Sequence, residues 1–90
     1  MVWTVEITKP AKKELARLDK AMANRILRYL AERIATCDDP RRFGESLAEN
    51  LSGLWKYRIG DFRVIAEIVD ERFIVLVIRV GHRSKVYSTR

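Results

Sequence analysis

The chain has 90 residues, 48% of them hydrophobic and 33% charged, which is typical of a single folded domain spanning 1–90 and excludes a disordered segment. Its formal net charge of +6 favours an anionic partner, either nucleic acid or an acidic protein. No apolar run approaches the ~20 residues that cross a bilayer, no leader is visible, and the single cysteine, Cys37, has no partner for a disulfide or a metal site. The sequence therefore predicts a cytoplasmic protein without membrane contact.

The first half of the chain is predicted to form one strand and two helices. Valine, tryptophan and isoleucine favour a strand over 2–7. Thr8 and Asp19 are suitable N-caps for the two helices, because each precedes apolar residues at helical spacing. In the second helix one apolar stripe is predicted, formed by Ala23, Ile26, Leu27, Leu30 and Ile34.

The second half is predicted to be an antiparallel sheet that follows an irregular connection. Pro40 ends the second helix, and residues 41–53 lack a clear period, so we expect a connection with one helical turn around 46–51. From Leu54 the period is two, which predicts the strands "LWKYRI", "FRVIAEIV" and "RFIVLVIRV" and a short last strand, "SKVY". The predicted fold is α+β: an N-terminal strand, a two-helix hairpin and a twisted antiparallel sheet, with the helices on one sheet face.

Three cations interrupt the predicted hairpin "LWKYRIGDFRVIAEI". A two-residue loop at Gly60-Asp61 suits a type II′ turn. This register places Arg58 opposite Arg63, with Lys56 on the same face. Two cations about 5.5 Å apart repel by roughly 3 kcal/mol at an effective dielectric constant near 20, so either they splay into solvent or an anion such as phosphate compensates them. The other face is the predicted core, formed by Trp55, Tyr57, Phe62, Val64, Ala66 and Ile68.

The C-terminal stretch "VGHRSKVYSTR" adds further cations and a phenol. This combination suits RNA binding, because cations pair with phosphates and aromatic rings stack on unpaired bases. The sequence shows no His-Glu pair of the kind that a simple acid–base ribonuclease uses, and no carboxylate cluster for a metal. Any chemistry would therefore be carried out by lysine, arginine and tyrosine.

Over essentially its whole length the chain resembles the RelE/ParE superfamily of toxins from type II toxin–antitoxin pairs. The opening "WTVEITKPAKKELARLD" is shared broadly across that superfamily, whereas "WKYRIGDFRVI" together with "GHRSKVY" resembles the RelE branch. The resemblance implies a fold of the microbial ribonuclease type and an endoribonuclease (mRNA interferase) that needs neither metal nor cofactor. Such toxins enter the ribosomal A site, where the mRNA 2′-hydroxyl is made to attack its own 3′-phosphate, and translation stops.

The resemblance also implies five catalytic positions. Lys56 and Arg58 match two basic positions on one strand of the family, and Arg63 matches the arginine that opens the next strand. Arg83 matches the arginine after the glycine turn, and Tyr87 matches the terminal tyrosine. Arg58 replaces the lysine of the family prototype, the turn "GHRS" is shorter, and few residues follow Tyr87 where many relatives carry a helix.

The expected roles follow from the chemistry of these side chains. Arg58 and Arg63 would hold the scissile phosphate and stabilise its growing charge. Lys56 or Tyr87 would take the 2′-hydroxyl proton. Arg83 or Lys56 would assist the departing 5′-oxygen, with the neighbouring histidine as a further candidate for that proton.

Two other functions stay open at this point. A ParE-like toxin would inhibit DNA gyrase without cleaving RNA, and a degenerate toxin would only bind its antitoxin. The resemblance implies, besides the ribosome and mRNA, a cognate acidic antitoxin that wraps the basic surface in a hetero-oligomer.

Overall fold

The computed structural model describes residues 2–47 and 53–82. The last strand predicted at "SKVY" and the site candidates Arg83 and Tyr87 lie outside these residues. The strands are β1 (Thr4–Ile7), β2 (Glu45–Ser46), β3 (Leu54–Ile59), β4 (Phe62–Val69) and β5 (Ile74–His82). The helices are α1 (Lys9–Ala16) and α2 (Lys20–Tyr29), which a π-helical turn (Leu30–Ile34) extends, with short 3₁₀ turns at Pro40–Phe43 and Asp70–Arg72.

The described strands form one mixed sheet in the order β1-β5-β4-β3-β2. The pairs from β2 to β5 are antiparallel, which confirms the predicted α+β fold. β1 instead runs parallel to β5, with Thr4 opposite Ile74. The N-terminal strand therefore extends the sheet beside its last described strand, a pairing that local sequence patterns do not specify.

Both predicted N-caps are confirmed. The Thr8 hydroxyl accepts from the Ala11 amide at 3.4 Å, and the Asp19 carboxylate accepts from the Met22 amide at 2.8 Å. The Thr8 hydroxyl also donates to the Val77 carbonyl at 3.0 Å, which fixes the start of α1 against β5. A single threonine thus caps a helix and joins it to the sheet.

One apolar face of the second helical segment packs on the sheet. Ile26, Leu30 and Ile34 are buried, as predicted, against the core-facing strand residues. The prediction for Leu27 was wrong, since its side chain is 41% exposed. Successive helical residues turn by about 100°, and a face centred on Ile26 and Leu30 leaves Leu27 on the flank.

The core face of the hairpin agrees with the alternation. Its most buried aromatic residue is Tyr57, whose hydroxyl donates to the Pro40 carbonyl at 2.9 Å. Burial raises the pKa of this phenol, so Tyr57 is a packing residue and not an acid or base. Trp55 and Phe62 are only partly buried and pack at the margin of the core, which otherwise includes Val64, Ala66 and Ile68.

The connection before the hairpin corrects one expectation. Ser46 belongs to β2, which pairs with β3 through Ser46 opposite Trp55. The helical turn predicted around 46–51 is therefore wrong at its start, and most of that range lies outside the described residues. A two-residue strand is too short for its period to be recognised.

None of the helices in the described part of the chain has the length and apolar character needed to cross a membrane.

Candidate functional site

The β3–β4 hairpin sets the geometry of the candidate site. Ile59 lies opposite Phe62 and Arg58 opposite Arg63, which confirms the predicted register. Gly60 has φ +62° and Asp61 a negative φ, the combination that a type II′ turn requires. The two-residue turn therefore fixes which side chains face each other across the strands.

Three predicted site residues share the sheet face opposite the core. Arg58 is paired with Arg63, and Lys56 lies opposite Ile65 two residues along the same strand. The Arg58 side chain is 59% exposed, whereas that of Lys56 is only 13% exposed. Lys56 thus presents a largely buried ammonium beside the more exposed guanidinium of Arg58.

Glu45 is a member of this cluster that the sequence analysis missed. It lies on β2 directly opposite Lys56, and its Oε1 is 3.2 Å from Lys56 Nζ and 4.0 Å from Arg58 Nη2. The hydrogen bond from Lys56, followed by the charges of Lys56, Arg58 and Arg63, lowers the pKa of the Glu45 carboxyl. The group is therefore a carboxylate at neutral pH, with an accessible face.

We call Lys56, Arg58, Arg63 and Glu45 the cation face. Three positive charges and one negative charge leave a net attraction for anions. Ammonium and guanidinium groups can bind phosphate oxygens, the latter through two parallel hydrogen bonds. An exposed carboxylate beside them can accept a proton. These are the groups that a phosphate-transfer site needs.

His82, the further candidate for the leaving-group proton, lies on the other face of the sheet. It is opposite Phe62, and the two rings meet edge-to-face at a centroid distance of 5.6 Å. A register shift between Ile65 and Ala66 causes this, because it inserts one extra residue into β5 and reverses the alternation beyond it. Val77 and Val80 consequently both face the core.

The remaining candidates add little to the described site. Arg83 and Tyr87 lie outside the described residues, so their positions relative to the cation face stay predictions. Cys37 is partly buried near the end of the second helical segment, and its thiol donates to the Ile34 carbonyl at 3.0 Å. Burial raises the pKa of this thiol, which is not a nucleophile at neutral pH. Within the described ranges no group of three or more histidine, cysteine or acidic residues could hold a metal.

A comparison with known families decides the class of the protein. Residues 5–87 match the family described as the ParE toxin of the type II toxin–antitoxin system parDE. The chain belongs to this family. As a member of the RelE/ParE superfamily it is a toxin of the type II toxin–antitoxin class, as the sequence resemblance predicted.

Curated relatives of this ParE family member carry RelE-type names. Toxin RelG of Mycobacterium tuberculosis is 29% identical over 87 residues, which cover 97% of this chain and 98% of the relative. Toxin RelE of the same organism is 32% identical over 83 residues, which cover 92% of this chain and 84% of the relative. The similarity thus extends over nearly the whole of both chains.

Solved structures agree with this assignment. A chain of the toxin–antitoxin complex RelBE2 from Mycobacterium tuberculosis superposes with a TM-score of 0.83 at 28% identity. The match covers 92% of this chain and 100% of that chain. The isolated Escherichia coli RelE toxin superposes with a TM-score of 0.70 at 22% identity over 96% of this chain and 92% of that chain. The latter likeness shows a common fold.

Proposed function

We propose that this toxin is a ribosome-dependent mRNA endonuclease that cuts in the A site without a metal. The observation that carries the proposal is the pairing of Arg58 with Arg63 beside the Lys56–Glu45 ion pair, on the sheet face opposite the core. Such a face suits a phosphodiester, whose charge increases as the reaction proceeds. The substrate is then mRNA bound to the ribosome, and the cytoplasm is the place of action.

The reaction needs a proton acceptor, a proton donor, and cationic groups that bind the phosphate and stabilise its growing charge; these cationic groups are called the clamp. The 2′-hydroxyl loses its proton and its oxygen bonds to the adjacent phosphorus, the bond from phosphorus to the 5′-oxygen breaks, and that oxygen takes up a proton. The products are a 2′,3′-cyclic phosphate and a 5′-hydroxyl. Arg58 and Arg63 serve as the clamp, with Lys56 as a further donor to the phosphate.

Glu45 competes with Lys56 and Tyr87 for the role of base. Its carboxylate is ionised at neutral pH and lies within the cation face, whereas an ammonium that is paired with a carboxylate is a donor. Its lowered pKa makes it a weak base, so its contribution depends on position more than on basicity. Arg83 and Tyr87 complete the proposed set as donor and as base or stacking partner.

The proposed partner is an acidic antitoxin that forms a hetero-oligomer with the toxin. Relatives were solved in such assemblies, including RelBE2 of Mycobacterium tuberculosis and the RelBE complex of Escherichia coli. The net charge of +6 is compatible with an acidic partner as well as with RNA.

A cleavage assay on programmed ribosomes tests the enzyme. The chain is added to ribosomes stalled on a defined mRNA, and new 5′ ends are mapped by primer extension. We expect A-site cuts ending in a 5′-hydroxyl, reduced by about 10² or more in Arg63→Ala, since one charge-stabilising donor contributes that much. The matched control is Arg72→Ala, an exposed arginine in the turn between β4 and β5, which should stay within about twofold.

A gyrase inhibitor is the second candidate, and the match to a family described as ParE toxins favours it. The same preparations are therefore tested for inhibition of gyrase-catalysed supercoiling. Gyrase inhibition without mRNA cuts overturns the nuclease, and equal cutting by the wild type and Arg63→Ala overturns the proposed site. Antitoxin binding without either activity identifies a degenerate toxin.

A further inference from the structure

A second cationic feature lies at the boundary between the helices and the sheet. Between α2 with its π-helical turn and the end of β3 is a cleft of about 370 Å³, which we call the arginine cleft. It is lined by Arg25, Arg28, Arg33 and Arg58 together with Tyr29 and Glu32. Four positive charges face one negative charge across this volume.

The π-helical turn explains why arginines from two ends of the helix meet here. In a regular α-helix Arg33 would be rotated by about 80° from Arg25, since eight residues at 100° each exceed two turns by that angle. The π-helical turn adds one residue to the last turn, seen in the Ala35 amide donating to the Leu30 carbonyl at 2.9 Å. This reduces the offset of Arg33 to about 20°.

Three of the four cleft arginines have no acidic partner in the described part of the chain, whereas Arg58 has the Glu45 carboxylate at 4.0 Å. Among residues 2–47 and 53–82, no carboxylate lies within 4.0 Å of the guanidinium groups of Arg25, Arg28 or Arg33. Arg25 is placed over the hairpin turn, where a Cβ added to Gly60 would lie 3.1 Å from its Nη1. Arginines that converge without acidic partners repel one another, and an anion bound between them would offset that repulsion.

The cleft and the cation face share one residue. Arg58 is paired with Arg63 in the hairpin, and it also lines the arginine cleft. An anion that extends from one site to the next passes Arg58. A polymer with one phosphate per nucleotide has this form, and Tyr29, which also lines the cleft, places an aromatic residue beside the cations, a combination found in single-strand binding grooves.

We propose that the arginine cleft binds the phosphate backbone of a single-stranded RNA whose neighbouring nucleotide lies on the cation face. The inference rests on the proposed nuclease function for the identity of the strand. The cleft would hold a nucleotide outside the cleaved bond, so that it contributes to affinity and to the salt dependence of binding rather than to bond breakage.

The test measures the affinity for a 2′-O-methyl RNA of about 12 nucleotides by fluorescence anisotropy, from about 0.05 to 0.4 M salt. This probe lacks the attacking hydroxyl, so binding is separated from cleavage. The Arg25→Gln/Arg28→Gln/Arg33→Gln variant should reduce the magnitude of the negative slope of log affinity against log salt by about 2, because each phosphate contact on a single strand contributes about 0.7. At 0.1 M salt this corresponds to a loss of up to about 100-fold.

The matched control removes three charges elsewhere. Lys9, Lys12 and Lys13 are exposed on α1 and do not line the cleft, so the triple glutamine variant should change the slope by less than about 0.5. Equal slopes for the two triple variants overturn the proposal, because the effect would then be net charge alone. If circular dichroism shows that the first variant does not fold, the single variants Arg25→Gln and Arg33→Gln should each reduce the magnitude of the slope by about 0.7.

An acidic peptide serves as the competing ligand in the same assay. Loss of peptide binding with unchanged RNA binding overturns the proposal and makes the cleft a docking site for protein. If Arg63→Ala abolishes A-site cutting but the cleft variant has an unchanged slope, the proposed nuclease function is supported and the proposed RNA site in the cleft is overturned. If the cleft variant has a reduced slope but the wild type cuts no mRNA, the proposed nuclease function is overturned and the proposed RNA site is supported.

Discussion

Glu45 and Lys56 face each other across the β2–β3 pair, and a 3.2 Å contact joins the carboxylate to the ammonium. The surrounding cations lower the pKa of Glu45 below its ordinary value of about 4.3. The folded state therefore binds this proton less readily than the unfolded state. The resulting stabilisation is present above about pH 4.3 and is lost as the pH falls through the lower folded value.

The Glu45→Gln variant should accordingly have a lower urea midpoint than the wild type at pH 7, and the difference between the two midpoints should be smaller at pH 3. Glu67→Gln is the matched control, because Glu67 is exposed on β4 and has no ion pair among the described residues. A Glu45→Gln midpoint that differs from the wild type equally at both pH values would contradict the linkage.

The same substitution reports on catalysis. If Glu45 accepts the 2′-hydroxyl proton, Glu45→Gln should lower the rate of A-site cutting by about 10² or more while leaving toxin binding to the ribosome unchanged. Single-turnover cutting at saturating ribosomes separates the two effects. A loss of less than about threefold would return the role of base to Lys56 or Tyr87.

Substitution of Arg58 distinguishes phosphate binding from proton transfer. Arg58→Lys keeps the charge and loses the two-pronged donor, so we expect a loss of cutting of about tenfold, against about 10² for Arg58→Gln. The measurement is the rate of cutting on programmed ribosomes. Faster cutting by Arg58→Lys would indicate that this position transfers a proton, because lysine does so more readily than arginine.

The hairpin turn tolerates little change at Gly60. An alanine there would have to adopt φ +62°, and its Cβ would lie 3.1 Å from Arg25 Nη1. We expect Gly60→Ala to lower the free energy of unfolding by about 1–2 kcal/mol, measured by urea denaturation. Asp61→Ala, at the adjacent exposed position with a negative φ, should stay within about 0.5 kcal/mol. Equal effects of the two changes would argue against backbone strain.

Removing the Tyr57 hydroxyl should cost stability without affecting the cation face directly. Tyr57→Phe leaves the buried Pro40 carbonyl without its donor, which we expect to cost about 1–2 kcal/mol. Tyr29→Phe is the control, since the Tyr29 hydroxyl has no hydrogen-bond partner among the described residues. The free energies of unfolding of both variants are measured by chemical denaturation. If Tyr57→Phe loses less stability than Tyr29→Phe, water replaces the lost hydrogen bond.

The register of the hairpin was predictable from sequence because local rules determine it. A two-residue glycine turn fixes which residues face each other, and the alternation then assigns each side chain to a face. The helix caps at Thr8 and Asp19 were predictable for the same reason, since the capping side chain and its amide are three residues apart.

The features that the sequence did not reveal depend on long-range pairing. Glu45 reaches Lys56 only because a two-residue strand adds to the sheet. His82 lies on the same sheet face as Phe62 because of the register shift between Ile65 and Ala66, which interrupts the alternation of side chains along β5. The cleft combines a π-helical turn with a hairpin, and neither element has a local signal for the other.

The parallel pairing of β1 with β5 has a consequence for the synthesis of the toxin. β5 lies between β1 and β4, and Thr4 lies opposite Ile74, so strands about 70 residues apart in sequence are neighbours in the sheet. Contacts of such high sequence separation raise the contact order and form after local elements. A nascent chain whose β5 is still inside the exit tunnel cannot complete this sheet. Folding of this sheet is therefore completed only after β5 has left the ribosome that synthesises the chain.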